Sequence, residues 1–161
     1  MAIAESGRAA TEAELREIAA GGFDPTAVRK IGGRAAGVQW QGHVYQGGEI
    51  CSNEMQHFLV HVLVQHEWPA GTTPAQYVQS LRDAVNDPGA GMHSSRTGGI
   101  WQLNFFAPLA LGSGPRGKGY MLVGYRPTYG WWLTGFPIIS PLSHIAIHTD
   151  WQDGRWLRPP K

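Results

Sequence analysis

The stretch TPAQYVQSLRDAVNDPG, residues 73–89, decides how the fold is read. Thr73 offers a side-chain oxygen to an orphan helix N–H, Pro74 carries the φ that a first helical position needs, and Gln76 stands where a capping box is completed. Tyr77, Val78, Leu81 and Val85 then recur at helical spacing and form one apolar stripe. Asp87-Pro88-Gly89 ends the run. That stripe must lie against something, and the chain beyond it reads as sheet. Ile100 to Phe106 is aromatic and alternating, and Ala107 to Gly119 is a Gly/Pro-rich loop. Tyr120 to Arg126 and Trp131 to Phe136 flank Pro127-Thr128-Tyr129-Gly130 as the arms of a β-hairpin. Ile145 to Ile147 fits a last edge strand. The expected fold class is α+β, with N-terminal helices packed on a C-terminal antiparallel β-sheet.

Upstream, Thr11 and Glu14 have capping-box spacing, Leu15, Ile18 and Ala19 form a short apolar stripe, and Gly21-Gly22 stops that helix. Gly37 to Tyr45 suggests a short strand or hairpin. Glu54 to Trp68 supports two readings. Phe58, Val60, Val62 and Val64 recur with strand spacing, whereas His57 and His61 share one face of a helix. Helix is preferred, because a second helix follows directly. At 161 residues the chain is one domain, with 1–50 an N-terminal extension holding a short helix and strand, and 51–161 the functional core.

Composition narrows the function classes. No apolar run approaches the roughly 18 residues of a membrane helix, and the N-terminus lacks a signal-peptide pattern. Cys51 is the only cysteine, so no internal disulfide forms. The expected location is the cytoplasm, or a target cell into which the chain is delivered. Net charge is only +1, but Pro88 to Thr149 contains no Asp or Glu while holding Arg96, Arg116, Lys118 and Arg126. Such a stretch favours anionic ligands.

Candidate chemistry concentrates in the histidine-rich middle and this acid-free half. His57, His61 and His66 fall within ten residues. They suit acid–base catalysis, since histidine titrates nearest neutrality, or a shared metal ion, or a mixed core-and-surface placement without chemistry. The H-E-x-x-H arrangement is absent. Arg96 and Arg126 offer planar forks that match a phosphate. Alternation sets Trp132, Thr134 and Phe136 on one sheet face, where Thr134 reaches a phosphate oxygen and Trp132, Tyr125 or Tyr129 gives a base a surface to stack on. No P-loop, G-x-G-x-x-G or G-x-S-x-G is present.

The order of these features resembles a known group. A segment bearing His61-x4-His66 precedes TPAQYVQSLR (73–82), Arg96 follows, and the sheet closes with LVGYRPTYGWWLTGFP (122–137). This is similar to the bacterial metal-independent ribonuclease toxins that group barnase, EndoU, the colicin nucleases and RelE. The resemblance covers about Met55 to Pro137. It implies RNA, such as tRNA or mRNA, as substrate, no cofactor and no metal, and a cognate immunity or antitoxin protein as partner. It also implies roles. His61 takes the 2′-hydroxyl proton, His57 or His66 protonates the leaving oxygen, Arg96 or Arg126 neutralises the phosphorane, and Thr134 holds a phosphate oxygen. The alternative is a non-enzymatic module binding a protein or nucleotide on its aromatic sheet.

Overall fold

A computed structural model describes residues 11–21, 28–97, 100–109, 117–125, 133–147, 151 and 154–160. In chain order the elements are helix α1 (Glu12–Gly21), strand β1 (Val28–Lys30), a 3-10 turn (Gly33–Ala35), β2 (Val38–Trp40), β3 (His43–Tyr45) and β4 (Ile50–Ser52). Then come α2 (Asn53–Phe58), which runs on as a π-helix over Leu59–Val64, α3 (Pro74–Asn86), β5 (Gly91–Thr97), β6 (Ile100–Pro108) and β7 (Tyr120–Tyr125). The chain closes with β8 (Leu133–Ile138), α4 (Pro141–Ala146) and β9 (Arg155–Arg158). The protein is mixed α and β, built on a five-stranded antiparallel sheet in the order β8-β7-β6-β5-β9.

Local chemistry explains the helices. Gln76 N–H donates to Thr73 Oγ1 at 3.2 Å, and Gln76 Oε1 accepts from Thr73 N–H at 3.0 Å, so the capping box that begins α3 is complete. Thr11 and Glu14 exchange the same pair of bonds ahead of α1. The stripe Tyr77, Val78, Leu81 and Val85 is buried, as its spacing requires, against Leu103, Phe105, Val123 and Tyr125 of the sheet. Gly37–Tyr45 is a hairpin. Its two turn residues, Gln41 and Gly42, both have positive φ, which is the type I′ geometry that matches strand twist.

Two expectations need correction, and a third falls outside the described residues. Ile145 to Ile147 is no strand. Ser140 caps a short helix there, its Oγ accepting from Ser143 N–H at 3.2 Å, and Pro141 takes the first helical position. The last strand of the sheet is instead β9, which pairs with β5 at the edge opposite β8. Arg96 does not precede the first strand of the sheet. It lies within β5, opposite Trp101 of β6. The turn expected at Pro127–Gly130 lies outside the described residues, but β7 and β8 pair antiparallel in the register a hairpin needs, with Gly124 facing Thr134.

One contact positions the edge strand β8. The Tyr77 hydroxyl, fully buried, donates to the Gly135 carbonyl at 3.0 Å. A Cβ on Gly135 would stand 2.5 Å from Leu81 Cδ2 and 2.6 Å from the Leu122 carbonyl oxygen, so α3 rests directly on the strand backbone. Gly135→Ala is therefore expected to lower stability by about 1–3 kcal/mol, the usual cost of overpacking, measured by urea unfolding. Thr73→Ala, which removes only the cap, should cost about 1 kcal/mol in the same assay.

Candidate functional site

Sequence-distant segments meet at the outer edge of β8. Ser52 caps α2 through a bond from Met55 N–H at 3.2 Å, and β4 runs straight into that helix. Because β1 pairs with β4, Arg29 stands opposite Cys51 and reaches Asn53 Oδ1 at 3.4 Å. Gln56 ties the two together by donating to the Lys30 carbonyl at 2.9 Å. After Phe58 the helix widens. Gln65 N–H donates to the Val60 carbonyl five residues back, at 2.9 Å. Such π-turns recur at functional sites.

Across this widened segment the His57 and His61 rings are parallel within 4°, with centroids 6.0 Å apart. His61 also stacks on Phe136 of β8, at 5.1 Å and 12°. Its Nδ1 lies 2.8 Å from Glu67 Oε1, and the two side chains are only 13% and 15% exposed. A carboxylate can only accept, so the ring nitrogen that faces Glu67 donates in this contact. Beside this pair, the Gln65 side-chain amide lies 3.1 Å from His61 Nδ1 and also contacts Glu67 and the Arg34 guanidinium. Arg29, Arg34, His57, His61 and Gln65 line one cleft of 270 Å³.

A second chain of bonds fixes His57. Thr134 Oγ1 lies 2.7 Å from His57 Nδ1 and is also hydrogen-bonded to the Tyr77 hydroxyl. Tyr77 spends its one proton on the Gly135 carbonyl. Thr134 must then donate to Tyr77, and its own oxygen accepts from His57 Nδ1–H. Burial pushes the His57 imidazole down from 6.5 to about 3, and the neighbouring His61 and Arg29 charges push the same way. His57 is therefore neutral at physiological pH.

The candidate residues separate cleanly. His57, His61 and Thr134 are brought together. His66 sits on an exposed turn with φ 54°, past the end of the π-helix. Arg96 is exposed and three strands from β8, roughly 14 Å at normal interstrand spacing. Tyr125 is no stacking wall. It is buried on the α3 side of the sheet, and Phe136 meets the histidines instead. Arg126, Tyr129 and Trp132 lie outside the described residues. The cations of the cleft, Arg29 and Arg34, were not among the sequence candidates, nor was Glu67. Arg29 and Arg34 bracket Gly32-Gly33, and Glu67 follows His61 by six residues, but neither spacing is a motif.

Cys51 is a poor nucleophile here, since burial and the nearby Glu49 charge raise its thiol and Arg29 offsets this only in part. Among the described residues, no cluster of three His, Cys, Asp or Glu side chains has metal-holding geometry. No described helix is long and apolar enough to cross a membrane. No protein-family model matches the chain, and neither does any curated protein or solved structure.

The depressed His57 predicts a pH signature. A histidine whose folded value is lowered stabilises the fold fully above its unfolded value, and that contribution fades as the pH falls towards the folded one. Between about pH 6 and pH 3, wild type should lose about 1.4 kcal/mol per pH unit relative to His57→Gln. Urea unfolding of both proteins across that range tests it, and parallel curves would refute the burial of His57.

Proposed function

We propose that the cleft at the β8 edge binds a phosphodiester and that the chain is a metal-independent endoribonuclease of the bacterial toxin type. One observation carries this reading. Two exposed guanidinium groups, Arg29 and Arg34, and an imidazole oriented by a shielded carboxylate line the same 270 Å³ cleft. Guanidinium forks match phosphate oxygens, and a carboxylate-oriented histidine is a ready general base.

In this reading the helices packed on the sheet hold His61 beside the strand that carries Thr134. His61 Nε2 takes the proton of a ribose 2′-hydroxyl as its oxygen bonds to phosphorus. The bond from phosphorus to the 5′-oxygen breaks, leaving a 2′,3′-cyclic phosphate. Glu67 steadies the imidazolium, and Arg29 and Arg34 take up the charge growing on the phosphorane. His57 stays neutral and gives no proton as an imidazolium. It holds Thr134 in place, and the leaving oxygen is protonated from solvent. In this reading the arginine pair, rather than Arg96, takes the neutralising role. The substrate class is RNA, with tRNA or mRNA as the natural targets and an immunity protein as the protecting partner.

The test is cleavage of total RNA by purified protein in EDTA. His61→Ala should lower the rate by about 10²–10⁴, the range for losing a general base, with circular dichroism unchanged. Paired Arg29→Ala and Arg34→Ala should weaken RNA binding and flatten its salt dependence. RNA binding without turnover would leave the nucleotide-binding module as the correct reading. Absence of both binding and turnover would refute the phosphodiester site.

A further inference from the structure

A second cleft opens beside the first, and the two share Gln65. It measures 450 Å³, against 270 Å³ for the arginine-lined cleft. Phe136 joins them, since the ring that stacks on His61 also forms a wall of the second cleft. Ile139 and Ile147 add further apolar wall and are 63% and 74% exposed. Apolar surface left open around a cavity marks a place where something binds.

The polar groups say what kind of ligand fits. Lys118 lines the second cleft, and it is the only Lys or Arg there among the described residues. The Glu67 carboxylate, also in its wall, is engaged by His61. His144 meets Phe136 edge-on, with centroids 5.9 Å apart, which sets a polar ring beside the flat apolar one. A ligand with a flat, apolar-faced ring, a hydrogen-bonding edge and a nearby negative charge matches all of these. A nucleoside linked to phosphate has that chemistry, and stacking accepts any base, because every base has a π-face. Small-molecule pockets run from about 300 Å³ upward. The second cleft meets that size and the first falls below it, which suits a phosphate group rather than a nucleoside.

We propose that the second cleft seats the nucleoside adjoining the phosphate held at Arg29 and Arg34, so that the smallest unit the protein recognises is a dinucleotide. This rests on the phosphodiester reading of the first cleft. Calorimetric titration of the full chain separates the two ideas. The probes are inorganic phosphate and a dinucleoside monophosphate whose attacking ribose is 2′-deoxy and therefore not cleaved. The dinucleotide should bind at least about tenfold tighter than phosphate. Ile147→Asp places a carboxylate at an exposed position in the second cleft, and Lys118→Ala removes its cation. Each should weaken the dinucleotide about tenfold and leave phosphate within about twofold. A dinucleotide no tighter than phosphate, or unchanged in both variants, overturns the second subsite and leaves the first standing. If wild type binds no phosphate at all, both fall together.

Discussion

Among the described residues strand β8 has a strand neighbour on one side only, β7, and everything proposed for this protein hangs on what holds it from the other direction. A row of hydrogen bonds does so, running from His57 through Thr134 and Tyr77 to the Gly135 carbonyl. Tyr77 and Gly135 are buried, so breaking the row strands polar groups away from water, which costs more than the bonds themselves contribute. The direction of the row is also set. Only one proton is available at each hydroxyl, and the backbone carbonyl at its end can only accept. A helix interior, an edge strand and the first histidine are thus locked into one arrangement.

That lock determines the rest of the cleft. With β8 held, Phe136 presents its ring to His61, and His61 is caught between an aromatic surface and the Glu67 carboxylate. The glycine at 135 is part of the same device, because only a residue without a side chain lets Leu81 approach the strand closely enough for Tyr77 to reach the carbonyl. Packing and chemistry are not separable here. The residues that close the core under α3 are the ones that aim the site.

The elements legible in the sequence were those with local causes. The α3 cap and its apolar stripe are each determined by a few adjacent residues and were readable, while Gly37–Tyr45 was readable only as a strand or a hairpin. Strand β5 was not, since His93, Ser94 and Ser95 give a polar run that is buried only because other strands flank it. The short helix at Pro141 carried a cap signal in Ser140-Pro141 that the apolar Ile145 and Ile147 masked. For the site, His57, His61 and Thr134 were recognisable as chemistry-bearing residues. Arg29 and Arg34 were not, because they arrive through the β1–β4 pairing and the turn after it, a long-range event without a local signature. The acid-free half drew attention by its charge, yet it is the net acidic N-terminal half that lends the cleft its guanidinium groups.

The division of labour between the two histidines follows from their surroundings rather than from their identity. They stack at 6.0 Å, close enough that a charge on one opposes a charge on the other. Burial settles which gives way. His57, with its Nδ1–H committed to Thr134, is pushed down to about 3 and stays neutral. His61 faces a carboxylate at 2.8 Å in a contact that water screens little, given side-chain exposures of 13% and 15%. Because His57 stays neutral, the proposed reaction has one place in the stack for a transferred proton, His61. That neutrality also leaves Arg29 and Arg34 as the standing positive charges of the cleft, available to an anion before any proton moves.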